Sequence, residues 1–342
     1  MIFHGIEICC PHCRGDLGGT DRTEGELRCV ACDRRFPVVL GIPDLRVFPD
    51  PYIEAEADRT KGLELAARSA DLSFPQLVDF YYRTTPVVPP PHARRYTRGV
   101  VAAVARAETA LVAWESVLAG NAQDGILLEV GCGTAPLLVA AAGRFAKLVG
   151  VDIAFRWLVV GRKRLTETGL DIPLICACAE ALPFPDEAFD RVAAESVLEH
   201  VRDQRQALAE CYRVMRPSGS LFASTPNRYS LGPDPQVGIW AGGILPDRWV
   251  ARYVRRMGGV PPKRRLLSVR SLSRLIRETG FGAPRVLLPE VPPDQRRHFG
   301  TSMRVLIDLY RAARCLPLVG RLLYWIGPFL QAVAEKPAAR RP

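Results

Sequence analysis

The stretch GILLEVGCGTAPLLVAA, residues 125–141, runs from one apolar segment through Glu129, Gly131 and Gly133 into a second apolar segment. This order predicts a buried strand that ends in a tight glycine turn at the start of a helix. Gly131 and Gly133 let the backbone approach a ligand closely, because neither residue has a Cβ in the way. The stretch therefore predicts a nucleotide-like ligand at the end of this strand.

The charge at Glu129 indicates which ligand this is. A dinucleotide loop has the pattern G-x-G-x-x-G, but counting from Gly131 its last position is occupied by Pro136. A carboxylate at Glu129 would repel a pyrophosphate and would attract an ammonium group. S-adenosylmethionine has an amino-acid end and an adenosine end without phosphate, and Asp152 follows the next strand, where it can accept hydrogen bonds from both ribose hydroxyls.

Strands and helices alternate after this stretch, which predicts an α/β fold with a doubly wound, Rossmann-like, mostly parallel sheet. In such a sheet the ligand lies outside the carboxyl ends of the strands. The predicted strands are 126–130, 148–151, 173–176, 190–194 and 220–224, and the predicted helices are 135–142, 155–168 and one near 204–215.

Four segments in order, LLEVGCGTAPLL, VGVDIA, CAEALPFPDEAFDRVAAESVLEHV and YRVMRPSGSLFASTPN, resemble the motifs of class I S-adenosylmethionine-dependent methyltransferases, especially the subgroup that acts on quinones and other small molecules. The resemblance covers roughly residues 125–230. It implies a methyltransferase that transfers a methyl group to an O, N or C nucleophile of a small-molecule or lipid-like acceptor.

The resemblance also assigns cofactor-binding positions. It places Glu129, Gly131 and Gly133 around the methionine end, Asp152 on the ribose, Cys178 and Ala179 beside the adenine, and Glu195 and Ser196 at the mouth of the fourth strand. Two positions depart from the family pattern. Ala135 replaces a third glycine, which costs little if Ala135 takes helical dihedrals, and Cys178 replaces an Asp that binds the adenine amino group.

His200, in the segment VLEHV, is the candidate general base. The alternative is a hydrogen-bonded structural histidine. Methyl transfer is an in-line displacement at a carbon activated by the sulfonium, so it depends mainly on alignment and needs a base only for a protonated acceptor.

Four cysteines near the start form two CxxC pairs, Cys10 with Cys13 and Cys29 with Cys32. This spacing predicts a zinc ribbon with one closed, structural, tetrahedral Zn²⁺ site, and Cys9 and His12 are not expected to be ligands. The flanking FPVVLGIPDL makes residues 1–48 resemble the zinc-ribbon family of methyltransferase-activating subunits. That resemblance implies a stabilising role or the docking of a protein partner.

The remaining boundaries follow from composition. Residues 49–92 are Pro-punctuated and predict a linker with one short helix, followed by one long helix from Ala93 to Ala119 that Gly120 ends. Residues 93–300 form the predicted Rossmann-like methyltransferase domain, with an insertion at about 227–267 in which Tyr229, Trp240 and Trp249 are candidates for an acceptor pocket or lid. Residues 301–342 are predicted to form an apolar and basic helical tail.

The formal net charge is +10, and residues 248–277 contain ten Lys or Arg and no Asp or Glu. The tail around 315–334 is apolar but contains Arg321, Pro317 and Pro328, which argue against a membrane span. Together the basic insertion and the tail predict contact with an anionic membrane surface, and the alternative is a solvated basic face and a tail packed on the domain.

The first residues lack the pattern of a secretory signal, so the expected location is cytoplasmic, with peripheral attachment at the inner face of the membrane. Two other functions stay open from the sequence. One is an RNA methyltransferase that holds nucleic acid through the basic insertion and the ribbon, although no RNA-binding module is recognisable. The other is a non-catalytic docking subunit.

Overall fold

The computed structural model describes residues 1–19, 24–118, 125–234, 236–291 and 300–338. Its strands are β1 (Ile2–Phe3), β2 (Ile6–Glu7), β3 (Leu17–Gly19), β4 (Gly25–Cys29), β5 (Arg35–Val39), β6 (Ile42–Pro43), β7 (Ile126–Val130), β8 (Lys147–Asp152), β9 (Leu174–Cys176), β10 (Phe189–Glu195), β11 (Met215–Pro226), β12 (Arg285–Leu287) and β13 (Phe329–Glu335). Its helices are α1 (Ala55–Ser69), α2 (Phe74–Thr84), α3 (Ala93–Val101), α4 (Ala103–Glu115), α5 (Pro136–Ala141), α6 (Phe155–Glu167), α7 (Gln204–Val214), α8 (Asp247–Arg256), α9 (Val269–Glu278), α10 (Thr301–Arg314) and α11 (Pro317–Ile326), with a 3₁₀ turn at Pro90–His92.

The central sheet has seven strands in the order β12-β13-β11-β10-β7-β8-β9. The five strands from β11 to β9 are parallel, and β13 runs antiparallel to both β11 and β12. Strand order reverses beside β7, so its carboxyl end lies at the switch point where doubly wound sheets bind ligands. The predicted fold class and the alternation of strands and helices from β7 to β11 are confirmed.

The register brings the predicted site residues to one edge of the sheet. Val130 of β7 pairs with Val151 of β8 and with Ala194 of β10, and Asp152 pairs with Cys176 of β9. The residues that follow these strands therefore meet at the same level, although they are far apart in sequence.

The amino-terminal segment forms a four-stranded antiparallel sheet, β3-β4-β5-β6, and a separate hairpin of β1 and β2. The end of this unit joins the edge of the central sheet, because Asp44 bridges Cys176 in parallel and the Leu45 N–H donates to the Cys176 carbonyl at 2.7 Å. Buried Phe3 and Ile8 belong to the same apolar cluster as Phe184, which lies between β9 and β10. The ribbon is thus packed onto the sheet and is not tethered beside it.

The prediction of a linker with one short helix at 49–92 is wrong. This segment forms α1 and α2, which pack on α6, and its side chains Leu65, Leu77 and Val78 are completely buried. Pro75 lies in the first turn of α2, where proline is tolerated because the missing N–H has no helical partner. A proline that indicated a linker is therefore part of a helix start.

The carboxylate of Asp58 on α1 is completely buried and holds three parts of the chain together. It accepts hydrogen bonds from the Arg46 guanidinium at 2.7 Å, from the Arg156 guanidinium at 2.7 Å and from the Phe155 N–H at 2.8 Å. Arg46 follows the ribbon, and Phe155 and Arg156 begin α6. Asp58 therefore fixes the start of α6 against the end of the ribbon.

Two further predictions are wrong in part. The helix expected from Ala93 to Ala119 is broken at Ala102, where α3 ends and α4 begins, and the predicted stop at Gly120 lies outside the described residues. Two guanidinium groups donate to carbonyls next to the break, Arg164 to Val100 at 2.6 Å and Arg106 to Gly99 at 3.1 Å.

The tail is helical only as far as Ile326, in α10 and α11. After Gly327 and Pro328 it forms β13, which lies between β11 and β12 and is buried from Leu330 to Ala334. Such a short apolar run is the type that sequence periodicity does not separate from a buried helix. The end of the tail is thus part of the catalytic core.

We expect Asp58→Asn to lower the free energy of unfolding by about 3–5 kcal/mol, because the change removes the carboxylate that two buried guanidinium groups share and leaves Arg156 with the more distant Asp50 at 3.4 Å, whereas Arg46 keeps Asp44. Denaturant unfolding measures this change. The matched control is Glu56→Gln on the same helix, whose carboxylate is exposed and pairs with Arg59, so it should cost less than about 1 kcal/mol. Equal losses in both variants would contradict the role of Asp58.

Candidate functional site

The loop after β7 is shaped by two glycines with left-handed backbone angles, φ 71° at Gly131 and φ 48° at Gly133. A Cβ at Gly131 would clash with the side chain of Val197 in the loop after β10. The N–H groups of Gly131 and Cys132 both donate to the Val151 carbonyl, at 2.7 and 2.9 Å. The loop is therefore closed tightly over the ends of β7, β8 and β10, and only glycine fits at position 131.

Glu129, the penultimate residue of strand β7 before this loop, is 2% exposed. Its Oε2 atom is buried and has no hydrogen-bond partner among the described residues. Burial and the nearby Glu195 raise the pKa of Glu129 well above its usual value. A buried carboxylate oxygen without a partner is costly in a folded protein, so this atom indicates the place of a cationic or hydrogen-bond-donating ligand group.

Asp152 at the end of β8 is bound to the glycine loop. Its Oδ2 accepts from the Gly133 N–H at 2.8 Å and its Oδ1 accepts from the Ala154 N–H at 2.7 Å. Each carboxylate oxygen keeps a free lone pair, so the two can still accept hydroxyl groups. Burial raises the pKa of Asp152 to about 6.

Arg164 is a site residue that sequence reasoning missed. It lies on α6, is 3% exposed, stacks over the Phe74 ring at 4.1 Å and donates to the Val100 carbonyl at 2.6 Å. Its Nε and Nη1 atoms are buried and have no partner among the described residues. The carboxylate of Glu129 attracts the Arg164 guanidinium electrostatically but forms no ion pair with it. The site thus contains a buried carboxylate and a buried guanidinium, each with unused hydrogen-bonding atoms.

Ala135 does not take the helical dihedrals that the sequence analysis assumed. Its φ is 58° and its ψ is 36°, which is the left-handed region, and it forms the N-cap of α5. Pro136 disfavours the right-handed helical region in the residue before it, so Ala135 does not form the first turn of the helix. The third glycine of the family pattern is thus replaced by an alanine that keeps a glycine-like conformation.

Cys178 and Ala179, predicted beside the adenine, are both buried after β9. The Cys178 thiol donates to the Phe48 carbonyl at 3.4 Å, and burial raises the pKa of this thiol to about 11. Phe48 in turn lies under the Arg202 guanidinium at 3.9 Å. A thiol fits here because it donates, whereas an aspartate would set two acceptors against each other.

Glu195 and Ser196 lie at the end of β10, as predicted from its strand position. Burial raises the pKa of Glu195 to about 7. Ser196 has a left-handed backbone, φ 54°, and its N–H donates to the Ser224 carbonyl at 2.7 Å. Both residues therefore start the loop that carries Val197 against Gly131 and leads to His200.

His200 lines a cavity of about 190 Å³ between this loop, the insertion and the segment before α3. Its Nε2 contacts the side-chain amide of Gln236, whose Oε1 accepts from Arg264 at 3.0 Å, so the amide NH₂ faces the imidazole. Burial lowers the pKa of His200, which keeps the ring neutral at neutral pH with its lone pair on Nε2. The remaining walls are formed by Tyr52, Val87, Val88, Pro89, His92, Tyr96, Val237, Tyr253, Val254, Val260 and Pro262.

The three aromatic residues proposed for the acceptor pocket do not line this cavity. Tyr229, Trp240 and Trp249 are 49%, 54% and 63% exposed. Tyr253, which the sequence analysis did not single out, takes the wall position. The sequence signal that could have found Tyr253 is its position four residues after Trp249, on the same side of α8.

The four predicted zinc ligands lie together. The Sγ atoms of Cys10 and Cys32 are 3.7 Å apart, those of Cys13 and Cys29 are 3.4 Å apart, and all four lie within 4.8 Å of one another. The sulfurs around a tetrahedral zinc with bonds of about 2.3 Å are about 3.8 Å apart. The cluster therefore fits one structural Zn²⁺ with no open position.

Each CxxC pair forms the same tight turn. The Arg14 N–H donates to the Cys10 carbonyl and the Asp33 N–H donates to the Cys29 carbonyl, and both Arg14 and Asp33 have φ of 61°. Cys9 is buried outside the cluster, where its N–H donates to the Pro183 carbonyl. Neither Cys9 nor His12 is part of the metal cluster, in agreement with the sequence analysis.

The sheet order, the glycine loop and the acidic residues at the ends of β7 and β8 define the Rossmann-like methyltransferase class of fold. Residues 128–223 match the family described as a methyltransferase domain, and residues 8–41 match the family described as Trm112p-like protein. The chain therefore carries a segment that matches methyltransferase domains behind a segment that matches Trm112p-like proteins, and both resemblances drawn from the sequence are confirmed.

The chain is similar to a ubiquinone/menaquinone biosynthesis C-methyltransferase of Bordetella avium, 35% identical over 151 residues, which are 41% of this chain and 57% of that protein. It is also similar to a ubiquinone biosynthesis O-methyltransferase of Idiomarina loihiensis, 35% identical over 139 residues, with 39% and 54% covered. The matched part spans little more than half the length of these relatives. A solved S-adenosylmethionine-dependent methyltransferase from Thermotoga maritima aligns with 71% of this chain and 95% of that chain at 21% identity and a TM-score of 0.44.

We expect freshly purified protein to contain about one zinc per chain, and Cys29→Ser to lose most of it, because three thiolates no longer close the tetrahedron. Elemental analysis measures the metal. The control is Cys9→Ser, which changes a buried cysteine outside the cluster and should retain the zinc. Metal-free wild-type protein, or equal loss in both variants, would contradict the assignment.

Proposed function

We propose that the protein is an S-adenosylmethionine-dependent methyltransferase that methylates a small-molecule or lipid-like acceptor in the cavity beside His200. The observation that carries this proposal is the buried, unpartnered Oε2 of Glu129 directly before the glycine loop. The names of the Bordetella and Idiomarina relatives, which describe methylation in quinone biosynthesis, support a small acceptor.

The amino-acid end of S-adenosylmethionine is a zwitterion, and the site offers a matching pair of charges. In this proposal Glu129 holds the ammonium group and the free N–H groups of Arg164 hold the carboxylate. Both side chains are buried, so each interaction is strong because water is excluded. The atoms of Glu129 and Arg164 that lack partners among the described residues are then the groups that the two charges of the ligand would meet.

In this proposal the neighbouring strands supply the contacts to the adenosine end. Asp152 accepts the ribose hydroxyls with its remaining lone pairs, and the adenine lies against Cys178 and Ala179. Since the Cys178 thiol is used by Phe48, the adenine amino group has to find a backbone carbonyl or water in place of the family's carboxylate. Glu195 and Ser196 close the site towards the acceptor.

S-adenosylmethionine supplies the activated methyl group, and the chain's residues align the acceptor with it. Val197 packs against Gly131 and His200 faces the cavity, so a loop of only a few residues separates the glycine loop from the acceptor cavity. An acceptor hydroxyl that displaces the Gln236 amide meets the Nε2 lone pair of neutral His200. In this proposal His200 therefore takes the proton from a protonated acceptor.

We also propose that the helical hairpin of α10 and α11 attaches the protein to an anionic membrane surface. Its exposed apolar side chains include Leu309 (61% exposed), Leu318 (80%) and Leu322 (53%), and Arg311 and Arg321 lie on the same two helices. Apolar side chains with interspersed cations suit the interface of an anionic bilayer. The described part of the chain contains no helix that is long and apolar enough to cross a membrane.

We expect calorimetry to show binding of S-adenosylmethionine, and Glu129→Gln to weaken it roughly 10- to 100-fold, because a charge-assisted bond to the ammonium is lost. The melting temperature of the unliganded protein should stay equal or rise, since the variant replaces a buried carboxyl group that has one oxygen without a partner. Wild-type affinity should fall as the pH is lowered through about 6, because Glu129 and Asp152, whose pKa values burial raises, take up protons that binding must release.

The control is Glu64→Gln on α1, whose carboxylate is exposed and pairs only with Lys61 among the described residues. It should leave the affinity unchanged. Absence of binding in the wild type would refute the proposed function, and unchanged affinity in Glu129→Gln would refute the role of Glu129 alone.

For the hairpin, we expect flotation with anionic liposomes to retain the wild type and to lose most of the Leu318→Asp/Leu322→Asp variant, because two carboxylates oppose insertion and are repelled by the lipid. The matched control is Leu63→Asp/Val112→Asp, which changes two exposed apolar residues on α1 and α4. Retention of both variants, or loss of both, would contradict attachment through the hairpin.

A further inference from the structure

Helix α8 presents a stripe of three arginines to solvent. Arg248, Arg252 and Arg256 follow one another at intervals of four residues, and Trp249 and Tyr253 lie beside them. The opposite face buries Val250 and Val254 against Val237. Helical spacing of four places the three guanidinium groups on one side, so their positive charges act on the same region of solvent.

This charge is not neutralised within the described part of the chain. Arg248, Arg252 and Arg256 form no ion pair or hydrogen bond there, and the acid of α8 is Asp247, the first residue of the helix. Other basic residues of the insertion are different, since Arg264 is buried and paired with Asp234 at 2.5 Å. The insertion thus contains both structural arginines and a group of unused ones.

The arginine stripe adjoins the acceptor cavity. Tyr253 lines both the 190 Å³ cavity and the open groove formed with Arg248, Trp249, Arg252 and Arg256. Of the described residues that line the cavity, none is acidic, and most of the wall is apolar. Tyr253 is thus a wall shared by the apolar cavity and the arginine groove.

We propose that the acceptor is an anionic amphiphile, whose apolar ring or chain occupies the cavity and whose phosphate or carboxylate group binds Arg248, Arg252 and Arg256. This inference rests on the proposed function, because it concerns the acceptor of the same reaction. The anion sets how deeply the apolar part enters, and so selects which atom faces the methyl group. Neutral molecules of the same shape lack this anchor and bind more weakly.

The test uses dodecyl phosphate below its micelle concentration as the probe, with S-adenosylhomocysteine saturating the cofactor site. By calorimetry we expect the wild type to bind dodecyl phosphate at least about tenfold more tightly than dodecyl maltoside or inorganic phosphate, and salt to weaken the binding. Arg252→Gln/Arg256→Gln should lose about tenfold for dodecyl phosphate and nothing for dodecyl maltoside.

The matched control is Arg274→Gln/Arg277→Gln, which removes the same charge from exposed positions on α9 and should retain the affinity. Equal loss in both double variants would mean a general charge effect and would overturn the inference. If inorganic phosphate bound as tightly as dodecyl phosphate, the inference that the acceptor is an amphiphile would be overturned. If Arg252→Gln/Arg256→Gln kept its full affinity for dodecyl phosphate and lost only its binding to anionic liposomes, the stripe would be assigned to membrane contact, which would also overturn the inference. Failure of the proposed function is seen separately, as absence of S-adenosylmethionine binding.

Discussion

The buried carboxylate of Asp58 is the contact on which the cofactor site depends. It binds Arg46 at the end of the ribbon and Arg156 at the start of α6, and Arg46 also donates to the Ile153 carbonyl at 3.1 Å. Ile153 follows Asp152 directly, so the acidic loop after β8 is held from the ribbon side. Because removing one partner of a buried pair leaves the other charge uncompensated, Asp58 links the loop after Asp152 to a helix outside the matched methyltransferase segment.

The fold between residues 125 and 226 could be predicted because each strand and helix there has its own local signal. The helices before it could not be recognised in the same way. Phe74, Leu77, Val78 and Tyr81 follow the spacing of a helical face, but Pro75 and the later prolines favoured a linker. The strand β13 was missed for a different reason, because its place between β11 and β12 is fixed by sheet pairing and not by its own sequence.

The proposed cofactor positions show the same division. Glu129, Gly131 and Asp152 could be proposed from the sequence, because their chemistry depends on their place at the end of a strand. Arg164 could not, since an arginine in an amphipathic helix normally reaches solvent. Only the packing of α6, where Gly161 lies against the Gly133 carbonyl, brings Arg164 into the buried site.

The ribbon contributes to this site through its backbone, in addition to any effect of the zinc that its four cysteines would hold. Its last residues extend the sheet at β9 and then bring the Phe48 carbonyl to the Cys178 thiol, at the place where the family has an acidic residue. A carbonyl fixed at that point disfavours a carboxylate and favours a donor, so the change at Cys178 and the presence of the ribbon belong together. A zinc that fixes the two CxxC turns would therefore influence the position of the Phe48 carbonyl, and so the surroundings of Cys178, through the covalent chain between Cys32 and Phe48. It would do so without touching the ligand.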